Sequence, residues 1–189
     1  MHKRTKLVED MLKSVSGDYG LMAKVIFEPV DCIELRPDVI FNIVRNKKVL
    51  HLGCTDHSSV IDWKINNDRF LHKQLSDITR ECLGIDINTA AAEYLKKYDI
   101  DNIIIKDITT PGIEEILSSK WDYLLMAEML EHVDDPVAFL KSIAKEYKNN
   151  IERIIITVPN AFGLIHLIDE LKSKSILLDT IVVVARWTE

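Results

Sequence analysis

The stretch Lys47-Lys48-Val49-Leu50-His51-Leu52-Gly53-Cys54 decides the fold of this chain, because its apolar run ends abruptly in a glycine. Such a run predicts a buried strand that leads into a tight turn. Three further apolar runs end on a polar residue, at Asp86, Asp107 and Glu128. Open parallel sheets bind their ligands at the carboxyl ends of the strands, so these four strand ends predict a nucleoside-type pocket.

The remainder of the chain alternates between strand and helix patterns, which predicts a parallel sheet covered by helices on both faces. The predicted strands are 48–52, 81–86, 102–106, 121–127, 151–158 and 181–185, and the predicted helices lie near 67–80, 88–97, 111–118, 135–148 and 163–173. Residues 55–67 are predicted to form a long loop. The predicted fold class is therefore α/β, with a Rossmann-like, doubly wound and mainly parallel sheet.

Residues 1–45 show broken helical patterns, so we expect an N-terminal helical cap on a core of residues 46–189, in a single domain overall. Pro37 suits the first turn of the last helix of this cap. That helix is predicted to bury four apolar side chains, those of Val39, Ile40, Ile43 and Val44. The cap either covers the mouth of the pocket or packs simply against the core, and both arrangements fit the sequence.

The composition is that of a globular protein, with 189 residues, 47% hydrophobic residues and 29% charged residues. The formal net charge of −6 argues against general binding to nucleic acids, although it leaves room for a local basic patch. Three cysteines without a CxxC pair predict neither a disulfide framework nor a zinc site, and they suit a reducing cytoplasm. No apolar run approaches the roughly 20 residues that span a bilayer, so we expect a cytoplasmic protein without a membrane partner.

The first turn narrows the choice of cofactor. A dinucleotide site requires two further glycines after Gly53, where this chain has Thr55 and Ser58, so NAD and FAD fit poorly. A P-loop is excluded because no Gly-Lys-Ser/Thr sequence follows. S-adenosylmethionine has no phosphates, and it needs one glycine for close passage of the chain and one acid for its ribose. Gly53 and Asp86 supply those two groups, although an aspartate at this position also suits a helix cap.

These segments together resemble the class I S-adenosylmethionine-dependent methyltransferases, between about residues 47 and 163. The resemblance rests on five motifs that follow the family order, namely 49–57, 84–88, 106–108, 121–136 and 156–160. The fourth motif is the most specific, and it resembles the corresponding segment of small-molecule and glycan-type members. The family usually has an acid where His51 stands, and further glycines after Gly53.

The resemblance also implies which residues contact the cofactor. It assigns cofactor binding to His51, Gly53, Cys54, Asp86, Ile87, Asp107, Ile108 and Glu128. It places Asp86 on the ribose hydroxyls and Asp107 near the adenine amino group. It also implies that His51 replaces the acid that orders the first turn.

His132 follows the fourth strand at the edge of the pocket, and it is the candidate catalytic base for a hydroxyl acceptor, since histidine titrates near neutral pH. An equal alternative is a histidine that only orders its loop. His57 and His166 fit surface positions better. Glu128, Glu131 and His132 form a Glu-x-x-Glu-His cluster of a kind that holds a divalent cation in some similar methyltransferases, but we expect no metal here. Trp63 either covers the bound ligands or anchors the loop that contains it.

The predicted function is that of an S-adenosylmethionine-dependent methyltransferase, acting on a small-molecule or sugar-like acceptor by in-line displacement at the sulfonium methyl. The alternative is a catalytically silent methyltransferase fold that serves as a scaffold or binding protein. A nicotinamide oxidoreductase is a third hypothesis, disfavoured by the absent glycines. Few residues follow the fifth strand, so a homodimer partner or the N-terminal helices are candidates to complete the acceptor pocket.

Overall fold

The computed structural model describes residues 36–159 and 180–187, which build an α/β fold around one sheet. The strands are β1 (Lys48–Leu52), β2 (Glu81–Asp86), β3 (Ile103–Ile105), β4 (Trp121–Ala127), β5 (Ile151–Pro159) and β6 (Thr180–Arg186). Their order across the sheet is β3-β2-β1-β4-β5-β6. The first five strands are parallel, and β6 runs antiparallel to β5. This arrangement confirms the predicted Rossmann-like, mainly parallel sheet.

Helices connect these strands within the described ranges. They are α1 (Arg36–Val44), α2 (Ser58–Asn66), α3 (Leu71–Ile78), α4 (Thr89–Leu95), α5 (Glu114–Leu117) and α6 (Pro136–Tyr147). Short 3-10 helices, Lys96–Tyr98 and Leu130–His132, follow α4 and β4. The helix predicted around Pro37 is confirmed as α1, which buries Ile40 and Val44 completely but leaves Val39 and Ile43 only partly buried.

The prediction of a long loop over residues 55–67 was wrong, because α2 occupies most of it. One fully buried side chain, Ile61, joins this helix to an apolar cluster that contains Phe70 and Leu95. No side chain caps the first turn of α2. Neither apolar periodicity nor a capping residue therefore marks this helix in the sequence.

Two apolar cores cover the two faces of the sheet. On one face, Ile40 of α1 and Leu75 of α3 pack with strand residues such as Val49. On the other face, α5 and α6 contribute Ile116, Ile143 and Tyr147 to a larger cluster. All of these side chains are buried, as the near-continuous apolar strands of a doubly covered parallel sheet require.

Two helix caps fix the chain at the carboxyl edge of the sheet. The side chain of Asn88 accepts a hydrogen bond from the backbone N–H of Ala91 at 3.0 Å, which makes Asn88 the N-cap of α4. Asp135 caps α6 in the same way at 2.9 Å from Ala138, just before Pro136. The strand order reverses beside β1, so the switch point where open α/β sheets bind ligands lies between β1 and β4.

Several predictions fall outside the described residues. These are the cap helices before α1, the helix near 163–173 and any strand partner of β6 before residue 180. The last predicted strand, 181–185, is confirmed as part of β6. Within 36–159 and 180–187, each helix is too short or too polar to cross a membrane.

Candidate functional site

The first turn after β1 depends on glycine at position 53. The backbone of Gly53 is left-handed, with φ of +67°, a conformation that costs other L-residues roughly 1–2 kcal/mol. Its N–H donates to the carbonyl of Ile85 at 2.9 Å, so the turn begins against the end of β2. A Cβ added here would lie 2.7 Å from Cγ of Met129, which follows β4. The ends of β1, β2 and β4 therefore meet at Gly53, as the sequence predicts.

Asp86 ties this turn to the end of β2. Its Oδ2 accepts hydrogen bonds from the backbone N–H and the hydroxyl of Thr55, both at 2.9 Å. Its Oδ1 accepts from the N–H of Asn88 at 2.9 Å. A carboxylate offers about four lone-pair positions, so one position on Oδ1 remains for a ligand hydroxyl. Asp86 thus shapes the turn and keeps the capacity for one ribose contact.

The carboxyl edge of the sheet is acidic and carries an exposed apolar side chain. Ile87, directly after Asp86, is 76% exposed. The edge and its loops contribute seven carboxylates, of which Asp56 is paired with Lys64 and Glu128 with Arg36. The other five form no ion pair with another described residue: Asp86, Asp107, Glu131, Asp134 and Asp135. The arrangement favours a ligand that combines an apolar ring with positive charge.

Glu128 ends β4 in a constrained conformation. Its backbone φ of +52° is unusual for a residue with a side chain. Its Oε1 accepts a hydrogen bond from the hydroxyl of Thr157 at 2.9 Å and lies 3.3 Å from Nη1 of Arg36. Glu128 therefore joins β4 to β5 and to the first residue of α1 at the same edge.

His51 belongs to a buried chain of polar side chains rather than to the surface of the edge. Its Nδ1 lies 3.3 Å from Nδ1 of His72 on α3. Nε2 of His72 lies 3.2 Å from Oδ1 of Asn102, whose amide donates to the Cys82 carbonyl at 2.9 Å and the Ser76 hydroxyl at 3.0 Å. The amide orientation makes Oδ1 an acceptor, so Nε2 of His72 carries the proton. In neutral His72, Nδ1 then accepts a hydrogen bond from Nδ1–H of His51.

Burial keeps both imidazoles neutral. It lowers the pKa of His72 to about 4 and holds the pKa of His51 well below its usual value, with further lowering by His72 and by the charge of Arg36. A neutral His51 with its proton on Nδ1 has Nε2 as an acceptor. His51 therefore offers a hydrogen-bond acceptor at Nε2. Unlike the acid that similar methyltransferases usually have at this position, it carries no negative charge.

Of the two described cysteines, Cys54 is buried and Cys82 is partly buried. Burial, reinforced by the charge of Asp86, raises the pKa of Cys54 far above its usual value, and burial raises the pKa of Cys82 to about 12. Neither thiol has the thiolate character of a nucleophile. A Cβ at Gly84 would lie 2.6 Å from Sγ of Cys54, so that glycine provides space for the thiol beneath the first turn.

The third strand end presents one polar and one apolar residue. Oδ1 of Asp107 accepts from the N–H and the hydroxyl of Thr109, at 2.8 and 2.7 Å, which forms a small turn of its own. Ile108 is 2% exposed and packs in the larger core, so only its backbone is available to a ligand. Asp107 stays a predicted adenine contact at the edge next to β2.

The remaining candidates lie on the surface. His132 and Glu131 are exposed in the 3-10 helix after β4, and His57 is exposed before α2. Trp63 is 54% exposed, with the Arg69 guanidinium stacked 5.5 Å from the centre of its ring. His166 lies outside the described residues. Within those residues, no group of three potential ligands is arranged to hold a metal ion.

Three contributors to this site were missed by sequence reasoning. Thr55 was treated only as a missing glycine, although its hydroxyl binds Asp86. His72 lies on a helix with no motif around it, and Arg36 lies far from the strands in sequence. The contacts of these residues depend on packing between distant segments, which a single sequence does not reveal.

The comparisons with known proteins agree with this geometry. No family model matches the chain. The tRNA U34 carboxymethyltransferase of Aliarcobacter butzleri strain RM4018 is 27% identical over 135 residues, which cover 66% of this chain and 40% of that protein. The chain thus spans less than half the length of this relative.

Two solved structures are similar at low identity. A TehB-like S-adenosylmethionine-dependent methyltransferase from Corynebacterium glutamicum ATCC 13032 matches with a TM-score of 0.52 at 12% identity, over 99% of this chain and 98% of that one. The N-methyltransferase NodS from Bradyrhizobium japonicum WM9 covers 79% of this chain and 90% of its own, with a TM-score of 0.48 at 13% identity.

The match to the TehB-like structure covers 99% of this chain, and together with the strand order it decides the fold. The chain has the class I methyltransferase fold. In this methyltransferase fold the predicted motifs occupy the ends of β1, β2, β3 and β4. A predicted homodimer finds no support in these comparisons.

Proposed function

We propose that this protein is an S-adenosylmethionine-dependent methyltransferase. The observation that carries the proposal is the meeting of Gly53, Asp86 and Glu128 at the switch point of the sheet, with Thr55 joining the first two strand ends. Ligands of open α/β sheets bind at this place. The catalytically silent scaffold remains the alternative, because the first turn lacks the further glycines of the family.

The chemistry of the edge fits this cofactor better than a nucleotide with phosphates. The cofactor carries a sulfonium and an ammonium group, and five carboxylates at the edge form no ion pair with another described residue. A carboxylate 5 Å from a unit charge contributes about 3 kcal/mol at an effective dielectric constant of 20. That interaction stabilises a cation and opposes a pyrophosphate. The exposed side chain of Ile87 offers an apolar surface to the adenine ring.

Each residue then has a defined task. When bound, S-adenosylmethionine supplies a methyl group on a positively charged sulfur that is a good leaving group. Asp86 would accept a ribose hydroxyl at Oδ1, and Asp107 would accept a hydrogen bond from the adenine amino group. His132 takes a proton from a hydroxyl acceptor. The protein accelerates the transfer mainly by alignment and by exclusion of water.

The acceptor is proposed to be a small molecule or a sugar-like compound. Support comes from segment 121–136, which resembles the corresponding segment of small-molecule and glycan-type methyltransferases. A tRNA base is the second candidate, because the 27% identical relative is named as a tRNA U34 carboxymethyltransferase. Since the chain covers 40% of that relative, the name defines no acceptor for this protein.

A thermal-shift titration tests the cofactor. With S-adenosylhomocysteine at one hundred times its Kd, stabilisation is about 2.7 kcal/mol, which raises Tm by about 5 to 10 °C in a chain of this size. NAD should give no shift. Asp86→Ala should weaken S-adenosylhomocysteine at least tenfold, while Asp101→Ala, which removes an exposed carboxylate elsewhere, should not. Absence of any shift with the native protein would favour the scaffold.

A labelling experiment then separates the two acceptors. Protein, methyl-labelled S-adenosylmethionine and a cell extract are incubated, and the small-molecule and RNA fractions are separated. We expect the label in the small-molecule fraction. Label that is retained in tRNA and released as a modified nucleoside after digestion would select the second acceptor.

A further inference from the structure

The amino edge of the sheet, opposite the candidate site, has the opposite charge. Five exposed cations lie there, where strands start or where the antiparallel β6 ends: Lys47, Arg80, Lys120, Lys148 and Arg186. Three carboxylates, those of Glu81, Asp122 and Glu152, lie at the same strand starts. We call the five cations, together with the cavity that three of them line, the basic edge. β4 is seven residues long, so roughly 20 Å separates this edge from the acidic one, at about 3.3 Å per residue. A chain of net charge −6 therefore concentrates positive charge at one end.

Ion pairing neutralises only part of this charge. Arg80 lies 3.5 Å from Asp122, and Arg186 lies 3.2 Å from Glu152. Lys47, Lys120 and Lys148 form no ion pair with another residue of the described ranges. Three lysines are thus available to a polyanion.

Three of the five cations, Arg80, Lys120 and Lys148, line an open cavity of about 510 Å³, a volume in the range of small-ligand sites. The lining also contains the carboxamide residues Asn149 and Asn150, the ring of Trp187 and two carboxylates, those of Asp122 and Glu152, so the cations exceed the carboxylates by one. The side chain of Lys120 is held in place, because its ammonium donates to the carbonyl of Asn149 at 2.7 Å. This hydrogen bond fixes the position of Lys120 at the wall of the cavity.

Trp187 adds a second feature to this cavity. Its ring packs against the larger core, and its indole N–H is buried without an acceptor in the part of the chain that the structure describes. A buried donor without a partner is uncommon in native proteins. Because that N–H has almost no exposed surface, a ligand in the cavity would contact another part of the Trp187 ring.

We propose that the basic edge binds a single-stranded nucleic acid through its phosphates. Lysine, arginine and asparagine side chains are the groups that contact phosphate oxygens, and an aromatic ring in a basic groove offers a surface for a base. The acidic carboxyl edge repels the same phosphates, so binding is confined to one end of the molecule. The inference goes beyond the proposed function, since it requires neither cofactor binding nor methyl transfer.

Fluorescence anisotropy with a labelled 12-nucleotide RNA, measured without cofactor, tests the proposal. If three phosphates are contacted, the logarithm of the RNA association constant should fall with the logarithm of the salt concentration with a slope of about −2 for a single strand. The double variant Lys120→Gln/Lys148→Gln should weaken binding at least fivefold at 0.1 M salt and reduce the slope by about 1.4. Its affinity for S-adenosylhomocysteine should equal that of the native protein, so the two proposals are tested separately.

The matched control is Lys73→Gln/Lys141→Gln, which removes the same charge from helices α3 and α6. This control should keep the native RNA affinity and salt slope. Equal losses in both double variants would mean that only net charge matters, and they would overturn the proposal. Binding of the native protein to anionic lipid vesicles but not to the RNA would overturn it as well.

Discussion

Thr55 occupies the position where a dinucleotide-binding turn has its second glycine, and the structure gives it a role of its own. Its hydroxyl and its backbone N–H both donate to Oδ2 of Asp86. A glycine could supply only the second of these bonds. The departure from the glycine pattern therefore adds a hydrogen bond that fixes the carboxylate of Asp86, the proposed ribose acceptor.

The first prediction concerns this hydroxyl. Thr55→Val keeps the shape of the side chain but removes its hydrogen bond to a mostly buried carboxylate, and such bonds contribute about 1.5–3 kcal/mol. We expect a lower free energy of unfolding by about this amount, together with weaker binding of S-adenosylhomocysteine. Urea denaturation and calorimetric titration measure the two effects.

Thr55→Ser is the matched control, because it keeps the hydroxyl and removes only a methyl group. It should stay close to the native protein in both measurements. If the valine and serine variants behave alike, the hydroxyl has no role in holding Asp86.

Strand β1 and helix α3 are joined by two imidazoles, and this contact makes the packing of the two elements dependent on pH. His51 of β1 donates to His72 of α3, and both rings are buried. The pKa of His72 is lowered to about 4 in the folded protein, against about 6.5 in an unfolded chain. Between these values the unfolded chain binds a proton that the folded chain does not.

The second prediction is a loss of stability in mild acid. The contribution of His72 is fully present above pH 6.5 and is lost as the pH falls toward 4, because the unfolded state gains the proton first. Between pH 7.5 and 5.0 the free energy of unfolding should fall by about 2 kcal/mol from His72 alone, and His51 adds to the fall in the same direction. Urea denaturation at a series of pH values measures this.

Two variants separate the buried pair from other groups. His72→Gln should reduce the fall in stability by roughly half, because one of the two lowered pKa values is removed. His57→Gln, at an exposed position, should leave the pH dependence as it is in the native protein. If the free energy of unfolding of His72→Gln falls between pH 7.5 and 5.0 as much as that of the native protein, His72 and His51 are not a buried, neutral pair.

The elements themselves were predictable where the chain obeys simple periodicity. Local sequence is sufficient for strand β1, whose apolar run extends from Val49 to Leu52. It is also sufficient for the start of α4, where Asn88 is a favourable N-cap residue. Helix α2 was missed because it depends on one buried side chain, Ile61. The contact of His51 with His72 joins residues 21 positions apart, and only the folded crossover brings them together.

The whole molecule has opposite charges at the two edges of its sheet, and this polarity bears on both proposals. The acidic edge stabilises a positively charged ligand, while the basic edge stabilises phosphates. S-adenosylmethionine carries the sulfonium charge and S-adenosylhomocysteine does not. The ratio of their affinities therefore reports the field at the acidic edge.

The third prediction is that this ratio depends on salt. Screening acts over about 10 Å at 0.1 M and about 3 Å at 1 M ionic strength, so carboxylates beyond the first contact lose their effect as salt rises. S-adenosylmethionine should lose about two- to fivefold in affinity relative to S-adenosylhomocysteine between 0.02 and 0.5 M sodium chloride. Competitive calorimetric titration measures the ratio directly. A ratio that stays constant, while both ligands bind, would mean that the carboxylates at this edge lie too far from the sulfur to attract it.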